Sequence, residues 1–331
     1  MELFGFLFLI LISAITIVTE NKSVLKYLYL PSLFAFMFIV RNVSFDSDIE
    51  TYVNEMQTNS NGIYYLREFV FWYLLRGLYS VFQNPIIVFL IMDCIWIFVL
   101  YKTSVKLSEN KENLSTGLIL ILSTSFPLFF GYENIYRQLF ATVFALYSYS
   151  LLQKQPKQSL LIFGFSIFMH NTVLVLLPVF YINKIFNFKL SVRALLSISL
   201  SIFFIFLFSY ASQFKSGIAT GEDLSLMYLI MFILVFLIYL IKFKFSIFYL
   251  LRKMPSLVII IILMFGLSIL KFDMISERLG MMFLVFLLFD LYRYSISIKH
   301  YGSRVAFRLS LLLIFSLPVL LFASSRMFLI E

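Results

Sequence analysis

The sequence predicts an all-α integral membrane protein with about 10 transmembrane helices. Hydrophobic residues make up 62% of its 331 residues and mean hydropathy is +0.97, which is more apolar surface than a soluble fold of this length could bury. Charged residues make up 13%, against about 25% in a soluble globular domain. Apolar runs that approach the roughly 17–25 residues of a membrane-spanning helix recur along the chain. These runs are 3–19, 24–40, 85–101, 116–131, 137–152, 193–210, 225–242, 255–270, 278–295 and 308–325.

The first apolar run is expected to be a retained helix and not a cleaved secretory signal. It lacks the basic residues that precede the apolar core of a signal, since Glu2 is its only early charge, and it is long enough to span a bilayer. The sequence shows no separate soluble domain. We therefore expect residues 1–331 to form a single polytopic membrane domain.

Two segments interrupt the series of spans. Residues 41–67 are the longest polar interruption, and we expect them to form an acidic loop on the outer side. Residues 68–83, which follow, are aromatic and amphipathic. This pattern predicts a helix that lies at the membrane interface, with Trp72 at the level of the lipid headgroups.

The basic residues predict that the N-terminus and the acidic loop lie outside, because Lys and Arg concentrate in cytoplasmic loops. Basic residues follow the first, third and fifth apolar runs: Lys22, Lys26, Lys102, Lys106, Lys111, Lys154 and Lys157. This bias also explains the net charge of +9, so we expect the bilayer and not a nucleic acid as the partner of the basic surface.

An eleventh apolar segment, 159–182, decides on which side of the membrane the later loops lie. If it crosses once, the strongly basic loops 242–253 and 293–308 lie outside. If it enters and returns as a broken helical pair with His170 and Asn171 at its tip, those loops lie inside, as the charge rule favours. The alternative is an ordinary span that contains one polar site.

Cysteine and histidine usage points to no metal centre. Cys94 is the only cysteine and lies in an apolar run, so it can form no intramolecular disulfide. His170 and His300 are the only histidines, and His300 lies in a basic loop, which makes a histidine-based metal site improbable.

Arg137 is the first polar residue that membrane burial leaves unexplained. It stands with Gln138 near the start of the helical stretch GYENIYRQLFATVFALY, at its outer end, with Glu133 four residues earlier. A snorkelling arginine held by Glu133 is one interpretation. The other is an anion clamp, because the guanidinium fork matches phosphate oxygens.

Two further positions have the same ambiguity. His170, beside Asn171, is either a packed histidine, a proton acceptor or a phosphate donor. Glu277 and Arg278 are expected at the outer end of a later helix, near its first residue. Arg278 is there either an interfacial residue or a second phosphate ligand.

The acidic segment carries the remaining candidates. Asp46, Asp48 and Tyr52 lie close together in DSDIETY, where the carboxylates either keep the loop solvated or accept protons from sugar hydroxyls. For Glu68, at the start of the amphipathic stretch, anchoring at the interface is the favoured interpretation. Together these residues predict an outer pocket for an anionic lipid-linked substrate.

The order of five motifs resembles that in the EpsG-like group of polysaccharide polymerases, which are Wzy-type proteins of O-antigen, capsule and exopolysaccharide assembly. The motifs are DSDIETY, EFVFWYLL, YRQLFA, FMHNTVLVLLP and ERLGMMF. They cover roughly residues 40–290, and the RQ-x-x-A and H-N motifs are the most specific.

This resemblance implies a glycosyltransferase that moves a growing glycan from undecaprenyl diphosphate to a new lipid-linked repeat unit. The enzyme would lie in the bacterial inner membrane, with its active site facing the periplasm or exterior. Its partners would be undecaprenyl-diphosphate-linked oligosaccharides and, as a candidate, a chain-length regulator. If arginines neutralise the charge, the reaction needs no metal or other cofactor.

The resemblance also implies roles for the candidate residues. Arg137, Gln138 and Arg278 would bind the diphosphate; His170, Asp46 and Asp48 are candidates for the catalytic base; and Glu133, Asn171, Tyr52 and Glu277 would support them. Two alternatives for the whole protein stay open. One is another lipid-linked glycan transferase, either a ligase or an enzyme that uses a polyprenyl-phosphate sugar, and the other is a non-enzymatic precursor transporter or flippase.

Overall fold

The computed structural model confirms an all-α membrane protein. It describes residues 2–43, 47–57, 68–107, 116–181, 189–212, 224–248, 250, 254–322, 325–326 and 329. Within these residues the regular structure is helical, and none of them lies in a β-strand.

Fifteen α-helices are described along the chain. They are α1 (Glu2–Thr19), α2 (Lys22–Val24), α3 (Leu30–Val43), α4 (Ser47–Gln57), α5 (Phe69–Phe82), α6 (Pro85–Leu107), α7 (Thr116–Ser123), α8 (Phe126–Glu133), α9 (Tyr136–Leu151), α10 (Pro156–Met169), α11 (Leu190–Ser212), α12 (Leu224–Lys242), α13 (Pro255–Ile269), α14 (Asp273–Ser297) and α15 (Tyr301–Leu321). A π-helical turn, Leu25–Tyr29, joins α2 to α3.

Each of the ten predicted apolar runs overlaps a helix in the described part of the chain. Five helices in the described part of the chain are long and apolar enough to cross a membrane: Glu2–Thr19, Lys22–Asn42, Pro85–Leu107, Ser225–Lys242 and Tyr301–Leu321. The total number of spans stays a prediction.

The run 116–131 is divided into α7 and α8. Ser125 has extended backbone before α8, and Pro127 lies in the first turn of that helix. Proline has no N–H to donate to the preceding turn, and its fixed φ suits the first turn of a helix, so Pro127 favours the start of a new helix here. The division follows from this local chemistry.

The chain forms two compact units. The first contains residues 1–173 and 288–331, and the second contains residues 174–287. Whether they form one membrane domain, as the sequence predicts, stays a prediction.

The centre of the first unit is an antiparallel hairpin of α9 and α10, which also packs against α6. Near its turn, Ser148 Oγ donates to the Ser159 carbonyl at 2.7 Å and Ser159 Oγ donates to the Ser148 carbonyl at 2.8 Å. Most side chains of α9 are buried, including Leu139, Phe140 and Val143. The hairpin is therefore a core element of its unit.

A cluster of charges joins the first and last helices of this unit. Glu20, just after α1, accepts hydrogen bonds from Arg304 at 3.1 and 3.2 Å and from Arg308 at 3.0 Å. Arg308 also donates to Ser295 Oγ at 3.0 Å. Because Arg308 is buried, the Glu20 carboxylate compensates a charge that the interior would otherwise disfavour.

Part of the acidic segment 41–67 is helical. In α4, Ile49, Tyr52 and Met56 are buried while Glu50 is exposed. Spacings of three and four residues place these apolar side chains on one helix face. The segment predicted as an acidic loop therefore contains an amphipathic helix.

The predicted helix in residues 68–83 is observed as α5. Its Phe71, Trp72 and Leu75 are buried, and Trp72 packs edge-on against Tyr52 with ring centroids 5.8 Å apart. Trp72 thus packs inside the protein and does not present its ring to lipid. The position of α5 at the membrane interface stays a prediction. Tyr73, on another face, is exposed.

The segment 159–182 is broken at the predicted point. Helix α10 ends at Met169, His170 has extended backbone, and a 3-10 helix (Asn171–Val175) and a π-helical turn (Leu177–Tyr181) follow. The re-entrant path itself stays a prediction.

In the second unit, α13 packs against α11 and α12. Asp273, at the start of α14, accepts a hydrogen bond from the Ser225 backbone N–H at 3.1 Å. A Cβ at Gly280 would fall on the ring of buried Tyr228, so the glycine permits close approach of α14 to that side chain.

Candidate functional site

Four distant parts of the first unit meet around Arg137. They are α4, which carries Tyr52; Glu68, just before α5; Arg137 itself, in the first turn of α9; and His170, just after α10. The side chains of Tyr52, Glu68 and His170 are buried. The convergence makes one polar site inside an apolar protein.

The helical hairpin explains why Arg137 and His170 lie at the same end. Each is eleven residues from the serine of its own helix in the Ser148–Ser159 pair. At a rise of 1.5 Å per residue, both arms extend about 16 Å from that pair. The spacing of the YRQLFA and FMHN motifs is therefore the length of two helices and one turn.

Arg137 makes an ion pair with Glu68, in which Nη1 lies 2.5 Å from Oε2. Its Nε donates to Tyr52 Oη at 3.3 Å. The guanidinium also lies over the rings of Tyr52 and Trp72, 5.4 and 5.1 Å from their centroids. These contacts hold the cation in one place, with 14% of the side chain exposed.

Glu68 connects Arg137 to His170. Its other carboxylate oxygen, Oε1, lies 3.5 Å from His170 Nδ1, and its side chain is 6% exposed. Sequence reasoning assigned Glu68 to interface anchoring and missed this position. One signal in the sequence could have indicated this position. Glu68 directly precedes a helix rich in aromatic residues, and these residues can bury its carboxylate.

His170 also contacts the backbone that follows it. The Thr172 N–H donates to Nδ1 at 3.3 Å, and Thr172 Oγ1 lies 3.0 Å from the same atom. The imidazole is thereby fixed between Glu68 and the first turn of the 3-10 helix.

A second buried pair, Arg41 with Asp93, lies close to the site. Arg41 Nε is 3.3 Å from Asp93 Oδ2, with side chains 2% and 0% exposed. Asp93 Oδ1 also accepts hydrogen bonds from Trp96 Nε1 at 3.0 Å and from Tyr136 Oη at 2.6 Å. Since Tyr136 precedes Arg137, this pair supports the turn of helix that carries Arg137.

Aromatic groups surround the Arg41 guanidinium. It lies 3.8 Å from the centroid of the Tyr132 ring and donates to the Tyr132 carbonyl at 3.3 Å. Sequence analysis missed Asp93 altogether, although a lone carboxylate inside the apolar run LIMDCIWIF is an unusual feature in a span.

Several candidates lie near this site in the chain. Gln138 is buried in α9, Glu133 is the buried last residue of α8, and Asn171 is exposed at the start of the 3-10 helix. The carboxylate that the structure places on Arg137 is Glu68, while the local pairing with Glu133 stays a prediction.

The other candidates lie elsewhere. Asp46 falls outside the described residues, and for Asp48 the structure describes only the backbone, in α4. Glu277 and Arg278 belong to the second unit, in the first turns of α14, where Glu277 is buried and Arg278 is half-buried. Their roles stay predictions.

Comparison with known proteins identifies the family. The model of the EpsG family matches residues 25–329, which include the whole of the site around Arg137. No curated protein and no solved structure matches the chain. The match covers nearly the whole sequence, so this chain belongs to the EpsG family of polysaccharide-polymerase-type membrane proteins.

Proposed function

We propose that the protein polymerises a surface polysaccharide at the outer face of the bacterial inner membrane. The donor is a growing glycan on undecaprenyl diphosphate, and the acceptor is the non-reducing end of a new lipid-linked repeat unit. The observation that carries this proposal is the convergence of Arg137, Glu68 and His170, which are remote in sequence, at one end of the α9–α10 hairpin. Ionisable groups kept inside a membrane protein indicate a functional site.

In the proposed reaction, a hydroxyl oxygen of the acceptor attacks the anomeric carbon of the donor sugar. The bond from that carbon to the diphosphate oxygen breaks, and undecaprenyl diphosphate leaves with the electron pair. The hydroxyl proton passes to a base. The chemistry therefore requires stabilisation of a diphosphate whose negative charge grows as it leaves.

Arg137 is suited to this charge. A guanidinium has five N–H donors in a planar fork, so it can hold a carboxylate and a phosphate at the same time. Donors fixed before the reaction favour the transition state, because they need not reorganise as the charge develops. Glu68, Tyr52 and the ring of Trp72 supply that fixation.

The remaining roles are assigned by the family resemblance. Arg278 is proposed as a second diphosphate ligand, with Glu277 beside it. Gln138, Glu133 and Asn171 are proposed as supporting residues.

The proposal is tested by the glycans of a strain that carries the gene in its surface-polysaccharide cluster. Deletion of the gene is expected to leave a glycan of a single repeat unit. Arg137→Ala should do the same while the protein is still inserted, and Arg137→Lys should restore only part of the chain length because it keeps the charge and loses the fork.

Arg293→Ala is a matched control. Arg293 is exposed and donates to Gln153 Oε1 at 3.2 Å, near the turn end of the hairpin. It should leave long chains intact. Normal chains in Arg137→Ala would refute the anion clamp, and complete loss of lipid-linked precursor on the outer face after deletion would favour a transporter.

A further inference from the structure

Glu68 and Thr172 both lie beside Nδ1 of His170. We propose that Glu68 is a positioning residue that holds His170 and Arg137 as a pair of donors to the diphosphate, with His170 acting through Nε2–H and not as the base. This inference rests on the proposed function and assigns roles within its site.

The first step concerns the neutral imidazole. The Thr172 backbone N–H donates to His170 Nδ1 at 3.3 Å. A backbone N–H can only donate, so Nδ1 must present its lone pair to it. In a neutral histidine the one ring proton then lies on Nε2.

The second step concerns the imidazolium. Here Nδ1 carries a proton too, and Glu68 Oε1 at 3.5 Å and Thr172 Oγ1 at 3.0 Å are the acceptors beside it. The carboxylate stabilises the added charge. Nε2 carries a proton in this state as well.

A base at Nε2 would need the remaining tautomer, with the proton on Nδ1 alone. That tautomer directs the Nδ1 proton towards the Thr172 N–H, two donors facing each other across 3.3 Å. The imidazolium has the same contact, but the Glu68 carboxylate beside Nδ1 stabilises its positive charge, and a neutral ring has no such charge. The two favoured states both carry a proton on Nε2. His170 is therefore a donor to an anionic oxygen, and the proton of the acceptor hydroxyl passes to another group, for which Asp46 and Asp48 remain candidates.

Glu68 gives this arrangement its geometry. One carboxylate oxygen contacts Arg137 and the other faces His170, so the two donors flank a single side chain. Adjacent phosphates of a diphosphate offer acceptors to both. Glu68 also balances the charge of Arg137.

Substitutions of His170 test the donor role in purified protein in nanodiscs supplied with lipid-linked repeat units. Glutamine places an amide N–H₂ near the position of Nε2, whereas asparagine places it near Nδ1. We expect His170→Gln to keep turnover within about tenfold of wild type, and His170→Ala and His170→Asn to lose about 100-fold or more, as when an oxyanion donor is removed. If His170→Gln is as inactive as His170→Ala, the donor role is overturned, since glutamine cannot act as a base.

Substitution of Glu68 tests positioning. Glu68→Gln keeps the shape and removes the negative charge, so we expect turnover to fall at least about tenfold while undecaprenyl diphosphate binds as tightly as to wild type, or more tightly. A merely structural role would weaken binding and turnover together, and that result would overturn the positioning role. Glu68→Asp, which keeps the charge, should recover part of the turnover.

His300→Ala is the matched control. His300 Nδ1 likewise accepts from a backbone N–H, that of Ser303 at 3.4 Å, but it is exposed at the start of α15. It should lose a helix cap and keep normal turnover. Wild-type protein that extends no repeat units would refute the proposed function itself, whereas active wild type with equal His170→Gln and His170→Ala would refute only this inference.

Discussion

Removing the buried carboxylate of Asp93 is expected to destabilise the protein by about 3–5 kcal/mol, the usual effect of breaking a buried ion pair by deleting one partner. In Asp93→Ala, the Arg41 guanidinium stays 2% exposed without its counter-ion. Trp96 Nε1 and Tyr136 Oη lose their acceptor at the same time. The Tyr132 carbonyl at 3.3 Å and ring at 3.8 Å still compensate Arg41, which places the expected effect in the lower half of that range.

Denaturant titration of the purified protein in detergent measures this effect. The double variant Arg41→Met/Asp93→Ala should recover part of the stability, because the buried guanidinium is no longer left without its counter-ion, whereas Trp96 and Tyr136 still lack their acceptor. Asp290→Ala is the control: that half-buried carboxylate accepts from Tyr149 Oη at 3.3 Å, and its loss should cost about 1 kcal/mol. A cost below about 1 kcal/mol for Asp93→Ala, or a double variant less stable than the single one, would show that the pair does not brace the site.

Three further predictions concern other parts of the fold. Gly280→Ala should lower the free energy of unfolding by about 1–3 kcal/mol in thermal or denaturant melts, because its methyl group meets the Tyr228 ring; an unchanged melt would contradict the close approach. Ser159→Ala should cost about 1 kcal/mol and reduce hydrogen-exchange protection near Ser148, and unaltered protection would show that the serine pair does not hold the hairpin turn. Single cysteines in residues 183–192, in a Cys94→Ser background, should react only with permeant reagents if 159–182 is re-entrant, and labelling by impermeant reagents from outside would refute it.

The helices could be predicted because apolar content and length are local properties of the sequence. Arg137 and His170 were predicted to share one pocket, and the structure brings both to Glu68, since two helices and a short turn place them at the same end of the hairpin. The break at His170 was anticipated from the polar pair in an apolar run, and the structure confirms it.

Glu68 and Asp93 show what local patterns leave out. The partner of Glu68 is 69 residues away and that of Asp93 is 52 residues away, so only the packing of helices from different parts of the chain reveals them. Glu68 also stands before an amphipathic helix, for which interface anchoring is the common explanation. The buried face of α4 was not predicted either, because the acidic residues of this segment are typical of a solvated loop.

The site lies at helix ends, and this location favours an anion. Arg137 is in the first turn of α9 and Glu68 directly precedes α5, so two positive helix N-termini meet there. A cation in the first turn of a helix is unfavourable by about 0.3–1 kcal/mol, and a carboxylate there is favourable by a similar amount. Glu68 therefore compensates both helix ends and the guanidinium. A diphosphate bound as we propose would enter the same field, and Arg137, held by Glu68 inside the protein, would then act on it as a cation.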